Sequence, residues 1–146
     1  MIATGSRDHN VRVWSYEKFR LSFELRAHED EVTTVRFLKP LPLLLTADCK
    51  GIMYIWLIPP DKRGPKCLLK WTNKHSMESD VPISAVDSYY TSNYKGTGEP
   101  FLLLLIGDEK GYVKASDITA CVRHYNLKPI DETADSADKR NPYFVF

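Results

Sequence analysis

The sequence has no long hydrophobic run. Phe101 to Ile106 is apolar throughout, but no uninterrupted apolar stretch approaches the roughly 20 residues a membrane helix needs. It opens without the charged leader and apolar stretch that direct secretion, so a cytoplasmic chain with no membrane partner is the expectation. An excess of one charge is missing too. Lys and Arg number 20 against 19 Asp and Glu, which excludes the long-range pull toward nucleic acid that a strongly basic chain exerts. Arg7, Arg12, Arg26 and Arg36 have acidic neighbours and read as a solvated face rather than a phosphate track. Cysteine is scarce. Cys49, Cys67 and Cys121 are odd in number, widely spaced and contain no C-x-x-C pair, whereas zinc sites and disulfide frameworks leave denser patterns.

Metal and phosphate sites are excluded on similar grounds. No two of His9, His28, His75 and His124 fall within a helical turn of each other, as a compact metal-ligand pair requires. Gly96 and Gly98 lead into Glu99-Pro100 and a strand rather than into a helix, so they do not form a phosphate cradle. The segment DCKGIMYIW lacks the alternating oxygen ligands and closing Glu of a calcium loop. No metal and no organic cofactor is expected. For a hydrolase, His28 with Thr46 and Asp48 is the best candidate set. No G-x-S-x-G elbow accompanies it, and no catalytic residue is assigned.

What is present is enough apolar material for a core: 43% hydrophobic and 12% aromatic residues in a chain of 146. Three segments share one pattern, MIATGSRDHNVRVWS from 1, LLLTADCKGIMYIWLI from 43 and LLLLIGDEKGYVKASDI from 102. Each is an apolar run, a short polar turn and an alternating strand, the form of a β-hairpin. Trp14 and Trp56 stand 42 residues apart, within the ~40–45 period of four-stranded propeller blades. Ser116 occupies the third tryptophan's place, 60 residues after Trp56. The polar stretches SMESD and TSNYKGTGEP absorb the excess as lengthened loops.

These segments resemble WD repeats. The resemblance implies a His in the loop between outer strand d and the next inner strand a. It also implies a Ser or Thr on strand b, an Asp in the b–c turn and a Trp ending strand c. His28, Thr46 and Trp56 match in the second unit, and Ser6, Asp8 and Trp14 in the first; His75, Asp108 and Asp117 match more loosely in the third. Lys50 and Lys110 stand where the turn Asp is usual, and Ser116 replaces the Trp. The linking network is therefore expected to be incomplete in the second and third units, with Asp48 and Asp108 taking over as acceptors.

The expected fold is all-β, a partial propeller of about three four-stranded antiparallel blades. The blades are expected at 1–27, 28–74 and 75–128, the last with a long a–b loop and its fourth strand at 121–127. Residues 129–146 are expected to be a flexible tail ending in Tyr143, Phe144 and Phe146. Propellers typically have four to eight blades, so the remainder is expected on a longer chain or from a partner, and the isolated chain is expected to self-associate through open edges.

The function implied is a non-catalytic protein-interaction scaffold. In WD-repeat proteins the b–c turns and d–a loops line the partner-binding face. That carries over to Arg7, His9, Glu29, Asp30, Cys49, Lys50, Glu109 and Lys110, with Tyr94 added as an exposed aromatic. GDEKGYVKASDI and TADCKGIMYIW are similar to late blades in large WD-repeat proteins of motile cilia, which implies docking on axonemal microtubules. The alternative is a substrate-recognition or adaptor subunit of a ubiquitin-ligase or chromatin complex.

Overall fold

A computed structural model describes residues 1–59, 63–74, 81–130 and 144–145. The strands are β1 (Ile2–Gly5), β2 (Val11–Ser15), β3 (Arg20–Leu25), β4 (Val32–Phe37), β5 (Leu43–Asp48) and β6 (Ile52–Leu57). They continue as β7 (Lys66–Thr72), β8 (Ile83–Thr91), β9 (Phe101–Asp108), β10 (Val113–Asp117) and β11 (Phe144–Val145). A single turn of 3-10 helix covers Tyr94–Gly96, and one α-helix, α1, covers Thr119–His124.

The strands form three sheets, ordered β11-β1-β2-β3, β4-β5-β6-β7 and β10-β9-β8. Apart from the parallel β11–β1 pair, every pairing is antiparallel between sequence neighbours. This is a meander of blades, and among the described residues the blades do not close into a ring. Alternation decides how each blade sits. In β2, Val11 and Val13 are buried while Arg12 and Trp14 are half-buried, because successive strand residues point to opposite faces. The middle blade is covered on both faces, so β5 is buried at every position, as a sheet sandwiched between two others must be.

Two apolar layers hold the blades together. Ala3, Val11, Val13 and Leu25 of the first pack against Val32, Phe37, Leu44, Tyr54, Trp56 and Ile58 of the second. On the other side, Leu43, Leu45, Met53 and Ile55 meet Ile83, Val86, Leu102, Leu104 and Ile106 of the third. Polar links tie the same seams: the Val32 N–H donates to the Ser6 carbonyl at 3.1 Å, and the Thr34 hydroxyl donates to the Ile83 carbonyl at 3.3 Å.

Two elements differ from the sequence expectation: helix α1, and strand β11, which lies within the 129–146 segment expected to be a flexible tail. Residues 119–124 are helix α1, not a fourth strand, so the third blade has three strands among the described residues. The cause is local. Asp117 Oδ1 accepts the Thr119 N–H at 2.9 Å, an Asx turn that bends the chain out of β10. Thr119 Oγ1 then accepts the Leu102 N–H at 2.9 Å and fixes the helix start to β9. Thr119 and Val122, three residues apart, lie buried on one side.

At the other end of the chain, β11 lies along β1, with Ile2 opposite Phe144 and Ala3 opposite Val145. It occupies the innermost position of the first blade, the place held by β4 in the second and β8 in the third. The Ile130 N–H donates to the Pro40 carbonyl at 2.8 Å. The SMESD stretch, His75, Tyr143 and Phe146 lie outside the described residues.

Candidate partner-binding rim and its supporting network

The b–c turns are built alike. In the second blade, Asp48 Oδ1 accepts the N–H groups of Lys50 (3.1 Å) and Ile52 (3.0 Å), while Gly51 N–H donates to the Asp48 carbonyl at 2.9 Å. Asp108 does the same in the third, taking Lys110 N–H at 3.0 Å and Tyr112 N–H at 3.1 Å, with Gly111 N–H on its carbonyl at 3.0 Å. Both glycines have left-handed backbones, φ 73° and 83°, which a Cβ disfavours. In the first blade Ser6 holds the equivalent position. Its hydroxyl accepts the Asp8 N–H at 3.2 Å, and His9 takes the left-handed place at φ 69°.

Beneath the second turn is a buried chain of side chains. Trp56 Nε1–H donates to Thr46 Oγ1 at 3.0 Å. His28 Nε2 lies 2.7 Å from Thr46 Oγ1, and His28 Nδ1 lies 2.8 Å from Asp48 Oδ2. The carboxylate can only accept, so Nδ1 carries the proton and Nε2 accepts from the Thr46 hydroxyl. Burial pushes the His28 pKa below its usual value, against the opposing pull of Asp48, which keeps the ring in this neutral tautomer. The network in the second blade is therefore complete rather than deficient. Asp48 is its acceptor, as expected from the sequence, and Lys50 is not needed in that role.

The first blade corrects one assignment. Trp14 Nε1–H donates to Thr4, not Ser6, at 3.1 Å. Thr4 and Thr46 both sit ten residues before their tryptophan, a spacing that would have found it. Asp8 instead pairs with Arg12 at 2.6 Å on the surface, which holds its carboxyl well below the usual range.

In the third blade Asp108 is again an acceptor, but its donor is Asn73. Asn73 Nδ2 donates to Asp108 Oδ2 at 3.2 Å and to the Val81 carbonyl at 3.1 Å. Lys114 Nζ donates to Asn73 Oδ1 at 2.5 Å and to the Lys74 carbonyl at 3.0 Å. Neither Asn73 nor Lys114 is visible as a network residue in the sequence, because each replaces a residue of different type. Asp117 belongs to the helix turn rather than to this network.

The Thr46–His28–Asp48 geometry is that of a nucleophile, base and orienting acid. Yet Thr46 and Asp48 are 0% exposed, and the Thr46 oxygen is already the acceptor for Trp56. No substrate atom can approach it, and what this arrangement does is tie loop to strand. Among the described residues, no three His, Cys, Asp or Glu side chains gather to hold a metal. No helix of the described residues is long and apolar enough to cross a membrane.

On this support stands a charged rim. Arg7 Nε lies 3.7 Å from Glu31, with the Arg7 side chain 90% exposed, and Lys50 Nζ lies 2.9 Å from Asp30. The Cys49 N–H donates to the Glu31 carbonyl at 2.9 Å, and Glu109 N–H donates to the Pro82 carbonyl at 3.1 Å. Each b–c turn thus meets the loop that enters its own blade or the next. Arg7, Asp30, Cys49 and Lys50 form one neighbourhood, with exposed His9 and Glu29 on the same turns and loop; Glu109 and Lys110 carry it to the third blade. Tyr94 lies at the opposite end of the sheets, in the β8–β9 loop, stacked on Phe101 with centroids 4.4 Å apart.

Residues 1–15 match the family model described as WD domain, G-beta repeat. Among solved structures, the Dos1 propeller superposes with a TM-score of 0.53 at 18% identity, over 82% of this chain and 30% of that one. Sqt1 of Saccharomyces cerevisiae gives a TM-score of 0.48 at 12% identity, over 77% of this chain and 30% of that one. The computationally designed Ika4 gives 0.46 at 15% identity, over 80% and 84%. This chain thus spans under a third of the two natural structures. No curated protein sequence matches it.

Proposed function

We propose that this partial WD-repeat β-propeller is a non-catalytic protein-interaction scaffold whose contact surface is the rim of b–c turns and d–a loops. One observation carries this reading. Exposed Lys50 sits on a turn whose backbone is fixed by buried Asp48, and it pairs with half-buried Asp30 on the loop whose Glu31 meets exposed Arg7. Rigid elements that present exposed loops are where binding concentrates, and little ordering entropy is lost when such loops meet a partner. The Thr46–His28–Asp48 chain serves that rigidity, which is why its buried, fully engaged groups are read as structural.

The assembly we propose for it is the ciliary axoneme, on the likeness of its second and third units to late blades of large ciliary WD-repeat proteins. In that setting the chain docks on microtubule-associated proteins. Fractionation of ciliated cells into detergent-soluble and axonemal material, probed with an antibody to residues 74–100, tests this. The proposal expects a band in the detergent-resistant fraction. A band confined to the soluble or nuclear fraction contradicts it and favours an adaptor subunit of a ubiquitin-ligase or chromatin complex.

A further inference from the structure

The second and third blades place their turn networks alike. Asp48 and Asp108 open the b–c turns, and Tyr54 and Lys114 stand opposite Thr46 and Ile106 on the neighbouring strand. The groups at these places differ in kind. In the second blade the entering loop brings His28 to Asp48, and the Tyr54 hydroxyl donates to the Ala27 carbonyl at 2.9 Å. In the third the loop brings the Asn73 carboxamide, and the strand brings the Lys114 amine. An imidazole and a phenol have no bond to form there. A carboxamide and a primary amine are an electrophile and a nucleophile.

The side chains that amide exchange needs are already in contact. Lys114 Nζ lies 2.5 Å from Asn73 Oδ1. With a C=O bond of about 1.23 Å, that nitrogen is at most about 3.7 Å from Asn73 Cγ, close to the ~3–3.5 Å of a near-attack geometry. The lysine stem is flexible enough to swing the amine from the amide plane to its face. The amide itself is held still, since Nδ2 donates to the Val81 carbonyl at 3.1 Å and to Asp108 Oδ2 at 3.2 Å. Asn73 and Asp108 are both buried, which keeps water from competing at Cγ. The Lys110 and Tyr112 N–H groups hold the other carboxylate oxygen of Asp108, so that Oδ2 stays on the nitrogen that must leave.

We propose that Lys114 and Asn73 join in an isopeptide bond, with Asp108 as the proton-transferring carboxylate. Lys114 Nζ, as the free amine, attacks Asn73 Cγ; the N–C bond forms and the C=O electron pair moves to Oδ1. Asp108 Oδ2 takes the proton that the attacking nitrogen sheds and passes it to Nδ2. The oxygen pair returns, the Cγ–Nδ2 bond breaks and ammonia leaves. One amide replaces another, so neither an oxidant nor a co-reactant is required. It is a single reaction of the chain on itself, not turnover of a substrate. The product ties the loop after β7 to β10, 41 residues on, and closes a long loop that the unfolded chain must then keep. The bond lies within the third blade's own network and does not depend on what the rim binds.

Mass spectrometry of the purified 146-residue chain, intact and after trypsin, tests this. The expected intact mass is below the sequence mass by one ammonia. The digest should contain residues 71–74 joined to residues 111–123 as one branched peptide. An amine attacks only as its free base, so conversion should be faster in mildly alkaline than in neutral buffer. Lys114→Arg keeps the cation and its donors but should retain the full mass. Asp108→Asn should slow conversion by about 100-fold or more, with circular dichroism as the check on its fold; the wild-type result stands alone if that variant does not fold. Full mass in the wild-type chain after days in alkaline buffer overturns the proposal and leaves the three groups as a hydrogen-bonded network. Ammonia loss without the branched peptide also overturns it, since Asn73 would then have closed on its own backbone. Conversion at the wild-type rate in a folded Asp108→Asn chain overturns the role given to Asp108.

Discussion

Thr46 is the residue on which the second blade's polar chain turns, since it receives Trp56 and faces His28 with no exposure to water. Thr46→Val keeps the shape and removes the hydroxyl, leaving two buried polar groups without it. Each such loss costs about 1–3 kcal/mol, so urea unfolding at fixed protein concentration should show a drop of that order or larger. The equivalent change at Thr4 should cost less, because that bond is only part-buried. His28 gives the chain a pH dependence. Its folded pKa is depressed by burial, so the unfolded chain binds more protons as pH falls below about 6.5. Stability is therefore full above that value and declines as pH falls toward the folded pKa. Melting temperatures at neutral and mildly acidic pH should reveal this slope, and His28→Gln should flatten it.

At the scale of elements, the turn glycines separate two effects that the sequence cannot. Gly51 and Gly111 occupy equivalent turns with φ of 73° and 83°. A Cβ on Gly51 would collide with the Val81 carbonyl oxygen, whereas one on Gly111 would meet nothing within 4 Å. Gly111→Ala should therefore cost only the left-handed strain, about 1–2 kcal/mol, and Gly51→Ala distinctly more. Thermal denaturation of the two variants side by side measures the difference, and equal losses would contradict the close packing of that turn on Val81.

The strands themselves were legible because alternation and turn chemistry are local. The bounds of β2, β5 and β6 follow from Val11–Val13, from the apolar run at Leu43 and from the turn at Gly51. What was not legible depends on tertiary contacts. Helix α1 arises because Thr119 is fixed to β9 by its hydroxyl, a contact seventeen residues back in sequence that no periodicity records. Asn73 is a network residue because Gly51, Val81 and Asp108 surround it. Thr4 was within reach, since it keeps the spacing to tryptophan that Thr46 keeps.

For the whole molecule, two surfaces have different chemistry. The blade faces are apolar and mate with blades, and the rim is charged and set on rigid turns. Rim contacts of this kind should be salt-sensitive, because exposed charges are screened within about a Debye length, roughly 8 Å at physiological ionic strength. A partner held at Arg7 and Lys50 should dissociate faster as salt rises, whereas an apolar blade junction should not weaken in step.

The most direct test of the scaffold claim is site-specific photocrosslinking in ciliated cells, with the crosslinker placed at Lys50 on the rim and, in a second variant, at Lys95 on the opposite end of the sheets. The account predicts discrete adducts with other proteins from Lys50, reduced by Arg7→Glu, and none in common from Lys95. Adducts that are the same from both positions, or that form only between copies of this chain, would contradict it.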